Sequence, residues 1–417
     1  MNRLLCLSLL AALAWAGCSS EEDNDCVPFS ASWQTPAAER STQWLFLSDE
    51  QGGLLQAQEV QAQNSFAIST EGCQQQLTLS YLSVGETEVL ESGNPRTETV
   101  YRLTTLLEAP AGFAWDTLAQ APPARYPIAV RNVESVEQLV WPAERRDVFQ
   151  GNQFLDPAAN LLSFEIQAEP ASAAYLRIRA NGEPTERGLF FPALGSDTLT
   201  ADYNTLPAVG ESSPVDLPNG GNWRYELYGI EEEAEALLDY SNQPDLVSGS
   251  FAPLLPAGGT PSYRLRAEEV RFFEGIAYAP YLYDVQGNGL PERVAASEAD
   301  FSLQRQEDQL QVTTKAGAPL AYCIRIRTFR GPGPWLDWTI YGQPEALADV
   351  KLPDWPDTLA AQRQVLLGTG NEKLFSVSAK SFLSQVDYQE FLQALGRKEP
   401  GWQSENGLLE RTKVRQW

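Results

Sequence analysis

Along most of the chain, apolar residues recur at every second position in short runs bounded by Gly, Pro, Asn and Asp. That period is the signature of half-buried β-strands. QWLFLS, the turn residues DEQGG and LLQAQEV read as a hairpin reversing between Asp49 and Gly53. NSFAIST, QLTLSYLSV and TVYRLTTLL extend the pattern, and PIAVRNV, LLSFEIQAE, AAYLRIRAN, LFFPAL and WRYELYG resume it after the paired prolines of AQAPPARYP. A second Pro/Gly-rich connector, PLLPAGGTPS, precedes SYRLRAEEVRFF, ADFSLQRQ, DQLQVTT, AYCIRIRTF and WLDWTIYG. Alternation also sorts side chains by face. In AYLRIR, Tyr175, Arg177 and Arg179 oppose Leu176 and Ile178, and in AYCIRIR, Cys323, Arg325 and Arg327 lie together. EEEAEALLD at 231–239 reads equally as a helical turn or an acidic loop. One stretch has helical spacing: in SFLSQVDYQEFLQALG, Phe382, Val386, Phe391 and Leu395 fall about one turn apart, and Gly396 suits a C-terminal cap. The expected architecture is mainly β, of tandem antiparallel β-sandwich type, with a β-sandwich domain over 41–122, β-rich domains over 126–257 and 261–365, and a closing segment, 366–417, with a short helix.

The first residues break this pattern. Arg3 is followed by an apolar run from Leu4 to Ala16, too short to span a bilayer, and Ala16 and Gly17 precede Cys18. This reads as a cleavable secretory signal over 1–17. WAGC followed by SSEEDND resembles the lipobox and acidic export tag of surface-exposed lipoproteins of the phylum Bacteroidota. That resemblance implies acylation of Cys18, outer-membrane anchoring with surface display, and an acidic tether over 18–40. The run W-x-F-x-S-D-x-x-G-x-L-L from Trp44 to Leu55 resembles the opening hairpin of transthyretin-like, carboxypeptidase-regulatory-type domains. It implies a transthyretin-like or immunoglobulin-like sandwich over 41–122.

Composition narrows the chemistry. The chain contains no histidine, which excludes Ser-His-Asp and Cys-His catalysis and imidazole-ligated zinc. Thirty basic against 55 acidic residues give a formal charge of −25, which disfavours nucleic acid and suits a solvated secreted surface. Of five cysteines, Cys6 leaves with the leader and Cys18 goes to lipid. Cys26 and Cys73 are then expected to form a disulfide pinning the tether to the first domain, and Cys323, within an alternating strand, to be a buried free thiol.

Four groups of residues could carry a function. Tyr278, Tyr281 and Tyr283 lie in FEGIAYAPYLYD, where Gly275 and Pro280 argue for a loop and exposed rings could stack on sugars; the alternative is core packing. Trp223, Tyr225 and Tyr228, and Trp335, Trp338 and Tyr341, are expected in the core. The Arg177/Arg179 and Arg325/Arg327 faces could receive an acidic partner or glycan carboxylates, or pair with the chain's own acids. DVQGNG places Asp284, Gln286 and Asn288 before Gly289 like the start of a calcium loop, but Ala295 stands where such a loop needs Glu, and a hairpin turn explains the same residues. No motif marks a catalytic acid, a metal site or a cofactor, and Lys315 and Lys380 lack an S-x-x-K context. The expectation is a cell-surface lipoprotein with a non-catalytic binding or scaffolding role at the outer membrane. Its partners would be the membrane through the lipid, and a glycan or another envelope protein. The alternative is a glycan-degrading enzyme or its accessory sugar-binding subunit, which a convergent pair of accessible carboxylates would favour.

Overall fold

The structure, a computed structural model, describes residues 29–416 except 35–41, 61–64, 71–76, 92–93, 116–122, 145, 151–154, 169–171, 196–197, 219–220, 232–233, 242–245, 259, 261, 274–275, 307–308, 329–333, 349, 369–372 and 400. Cys18, the expected lipidation site, and the expected disulfide pair Cys26 and Cys73 lie outside the described residues.

The protein is mainly β, and its organising element is a 12-stranded sheet. The strands are β1 (Thr42–Ser48), β2 (Leu54–Val60), β3 (Thr78–Glu91) and β4 (Asn94–Leu106). Next in the chain come β5 (Trp223–Glu231), β6 (Ala234–Tyr240), β7 (Ser262–Glu269) and β8 (Tyr281–Gly287). The remaining four are β9 (Ala321–Thr328), β10 (Trp335–Gly342), β11 (Lys373–Phe382) and β12 (Leu408–Gln416). In space they run β6-β5-β7-β8-β12-β11-β9-β10-β4-β3-β1-β2. Neighbours are antiparallel except β10 and β4, which pair in parallel with Trp338 opposite Leu103. At that seam the Trp338 indole N–H donates to Thr105 Oγ1 at 2.9 Å, and the Thr105 and Ser80 hydroxyls are 2.9 Å apart.

The expected opening hairpin is β1 and β2. Asp49 Oδ1 accepts from the backbone N–H of Gln51 and Gly53 at 2.9 and 2.7 Å, and Gly52 takes the positive φ of 76° that the reversal requires. The stretch left open between helix and acidic loop contributes β6. All four expected segments give strands to the one sheet, so main-chain hydrogen bonds cross every connector between them. The reason is that each short meander ends in a strand with unpaired N–H and C=O groups, and joining meanders satisfies those groups.

A sandwich separate from the large sheet is built from residues 124–206. Its layers are two four-stranded sheets. One contains Ala124–Arg131 paired with Leu161–Ala168, and the other Gln138–Trp141 paired with Ala174–Arg179. Ile128, Val130, Phe164 and Ile166 from the first layer meet Leu139, Leu176, Ile178 and Leu189 from the second. Burying each such side chain contributes roughly 1.5–3 kcal/mol.

The two faces of the large sheet differ. On the first, Tyr225, Leu227, Leu265, Ala267 and Tyr283 pack with Val215, Leu217 and Phe251. Further along, Ile324, Ile326, Trp338, Phe375 and Val377 pack against the small sheet of Asp300–Gln306, Gln309–Ala316 and Val350–Lys351. On the second face, Leu45, Leu47, Leu79 and Leu106 are covered by the sheet of Ser30–Gln34, Ser65–Ser69 and Phe113–Trp115 and by a helix bearing Tyr388, Phe391 and Leu392. Where this second face passes over β7, β8, β12, β11 and β9 it becomes polar.

The described helices are α1 (Ala360–Leu367), α2 (Tyr388–Arg397) and α3 (Trp402–Glu405). The helix expected over 381–396 begins later, at Tyr388, because Ser381 and Phe382 still belong to β11. Asp387 caps it, accepting from the Glu390 N–H at 2.7 Å. Among the described residues no helix is long and apolar enough to cross a membrane.

Candidate functional site

Alternation brings Arg264, Arg266 and Glu268 of β7 to the polar face, opposite the buried Leu265 and Ala267. Leu282 of β8 stands between Glu268 and Glu410 of β12, being the register partner of both. Beyond β12, Ser376 of β11 is opposite Val414 and also opposite Arg325 of β9, and Arg327 is opposite Asp337 of β10. Apart from Arg264 and Asp337, these side chains of the polar face floor a cavity of about 270 Å³, walled on one side by Phe273, Ala277 and Tyr278. The wall is a short hairpin of Arg271–Phe273 and Ile276–Tyr278, standing off the sheet with Phe272 68% exposed. A second cavity of about 260 Å³ adjoins the first through Arg266 and is closed by Leu395, Lys398 and Trp402 from α2, α3 and their connection.

The electrostatics of this floor are set by pairing. Lys380 donates to Glu410 Oε2 at 2.5 Å, Thr412 Oγ1 lies 3.2 Å from the other carboxylate oxygen, and the Ser378 hydroxyl is 2.7 Å from Thr412. Burial raises the pKa of Glu410, but the Lys380 ammonium and the neighbouring hydroxyls outweigh it and hold the carboxyl below its ordinary value. Asp337 takes both forks of Arg325 at 2.6 and 2.5 Å, with Arg327 at 3.4 Å. Burial opposes its charge too, and the two guanidinium groups bring its pKa down. Glu268 is paired with Arg224, and Asp284 accepts from Arg264 at 2.7 and 2.8 Å. Arg266 is left at 3.9 Å from both Glu268 and Asp284, with 38% of its side chain exposed.

Tyr278 lines the cavity, together with Arg325 and Arg327. Tyr281 and Tyr283 take the other side of the sheet. Their stretch is strand β8 rather than loop, and alternation sends Tyr283 into the core at 5% exposed and puts Tyr281 under Arg411, 5.4 Å from guanidinium to ring centre. Trp223, Tyr225 and Trp338 are buried as expected, whereas Tyr228, Trp335 and Tyr341 are half-buried. Arg177 is not on an open patch: strand Ala174–Arg179 is buried on both faces as far as Ile178, and Arg177 sits between Glu186 at 3.3 Å and Asp239 at 3.5 Å. Arg179 pairs with Glu137 at 3.3 Å. Both carboxylate oxygens of Asp284, in the calcium-like string, are taken by Arg264. Cys323 is a half-buried free thiol whose pKa burial pushes up to about 11, so it is a poor nucleophile at neutral pH.

Arg266, Glu268, Glu410 and Thr412 were not singled out from the sequence. Their signal was the same alternation, in SYRLRAEE and LLERTKV, but nothing local says that those two polar faces meet across β8. No family model matches the chain, and no curated protein matches it.

Proposed function

We propose that this protein is an acylated outer-membrane surface protein that binds its ligand without turning it over, in the cavity on the polar face of the large sheet. The observation that carries this reading is the commitment of the cavity's carboxylates. Glu268 and Glu410 lie in one row on either side of Leu282, so roughly 10 Å separates their Cα atoms at ordinary strand spacing. A hydrolytic pair needs one carboxyl held protonated as the acid. Glu410 is instead kept ionised by Lys380, and Glu268 is paired with Arg224. Cavity size fits the same view, since about 270 Å³ admits a small polar ligand such as a single sugar unit.

Two experiments test it. Candidate glycans incubated with the full chain are expected to be recovered intact by mass spectrometry. Cleavage that disappears in Glu410→Gln would establish the enzymatic alternative instead. Anchoring is tested by Cys18→Ser, which is expected to move the protein from the membrane to the soluble fraction; continued membrane partitioning would overturn the acylation part of the proposal.

A further inference from the structure

We infer that the cavity's ligand is a sugar residue carrying a single negative charge, either a carboxylate, as in a uronic acid, or a sulfate ester. This rests on the binding role proposed above and adds the class of ligand.

Charge sets the first requirement. The chain as a whole is at −25, yet the cavity lining brings three guanidinium groups, Arg266, Arg325 and Arg327, against two carboxylates. Beside them on the same face, Lys380 and Asp337 offset one another. The pairing is uneven. Arg325 holds Asp337 at 2.5–2.6 Å, Arg327 donates to the same carboxylate through two nitrogens at the longer distance of 3.4 Å, and among the described residues Arg266 reaches no carboxylate closer than 3.9 Å. Two guanidinium groups thus retain donor capacity toward a ligand oxyanion, and the planar fork of arginine is suited to receive one. A phosphate dianion fits less well, because its second charge would lie against Glu268 and Glu410.

The remaining lining is what a hydroxylated ring requires. Glu268, Glu410, Ser376 and Thr412 supply hydrogen-bond acceptors and donors, and Tyr278 and Phe273 supply an aromatic wall for the ring's less polar face. An acid without hydroxyls would make no use of the Ser376 hydroxyl or of the lone pairs that Glu268 and Glu410 keep beyond their pairing with Arg224 and Lys380.

The test is calorimetric titration of the full chain, solubilised in detergent, with four probes: a uronate disaccharide, a sulfated disaccharide, their neutral parent sugar and acetate. At least one anionic disaccharide is expected to bind tenfold or more tightly than the neutral sugar and acetate, and to weaken as salt is raised. Arg266→Gln is expected to cost about tenfold toward the anionic sugar and clearly less toward the neutral one. The salt series needs no variant and reads the same property if that substitution disturbs folding. The uronate and sulfate arms identify which group the arginines receive. Equal binding of the neutral sugar, or affinity unmoved by both salt and Arg266→Gln, overturns the anionic assignment and leaves the binding role standing. Acetate binding as tightly as the sugars reduces the site to an anion pocket and overturns the sugar assignment. Failure of every probe removes both readings.

Discussion

Lys380 and Glu410 face each other across β11 and β12 with most of their side chains out of water, at 11% and 15% exposure. A pair in that position contributes little beyond what two well-packed apolar residues would, but losing one partner strands the other. Glu410→Gln is therefore expected to lower stability by about 3 kcal/mol at pH 7, measured by chemical denaturation. The sign of its pH dependence follows from the direction of the shift. Glu410 has a folded pKa below its ordinary 4.5, so its contribution is complete above 4.5 and is lost as pH falls through the depressed folded value. The stability gap between the native chain and Glu410→Gln should accordingly be constant from pH 7 to about 5 and narrow on further acidification. A gap that stayed open at low pH would mean the stabilisation has another source. Arg325 and Arg327 were legible as one strand face from alternation alone. Their shared carboxylate was not, because Asp337 belongs to a strand whose register no local sequence specifies.

Among the elements, α2 shows how a correct signal can be assigned to the wrong residue. The sequence places a cap at Gly396, yet the helix runs through it to Arg397, and Lys398 adopts the left-handed conformation at φ 50°. Gly396 serves packing instead. A Cβ there would come within 2.4 Å of the Ala114 carbonyl oxygen and 2.7 Å of the Phe113 ring, on the strand the helix rests against. Two substitutions should have opposite effects. Lys398→Gly relieves a left-handed residue and is expected to stabilise by up to about 1 kcal/mol. Gly396→Ala lifts the helix from its sheet and is expected to destabilise by about 1–3 kcal/mol. Thermal melts of the two variants read this directly, and a stabilised Gly396→Ala would refute the packing argument. Spacing alone starts the helix too early, at Ser381, although Asp387 with Glu390 three residues on is a capping pattern that marks the observed boundary. The Tyr278–Tyr283 run misled because Pro280 and Gly275 suggest a loop, while Pro280 in fact ends one short hairpin just before β8 begins.

At the scale of the whole molecule, the strands themselves were largely legible and their assembly was not. AYCIRIRT and WLDWTIYG each carry the period of two, and both are strands. The partner that β10 finds in β4 lies more than two hundred residues back, and pairing at such a distance leaves no trace in local pattern. The same holds for β12, which separates β8 from β11. Removing residues 408–417 should leave β8 and β11 with open edges and an unfilled row between them. The shortened chain is expected to aggregate while the full chain remains dispersed, as read by light scattering. A dispersed, folded truncation would show that the two sides can close on one another. The position of β12 also fixes an order of events in time. Four strands lie to one side of it and seven to the other, and among the described residues no other strand joins the two groups by hydrogen bonds within the sheet. Each group can form from its own meanders, but the sheet becomes continuous only when β12 inserts between them. Refolding should then end in a slow step, with amide protection along β8 and β11 arriving together and after that of the opening hairpin.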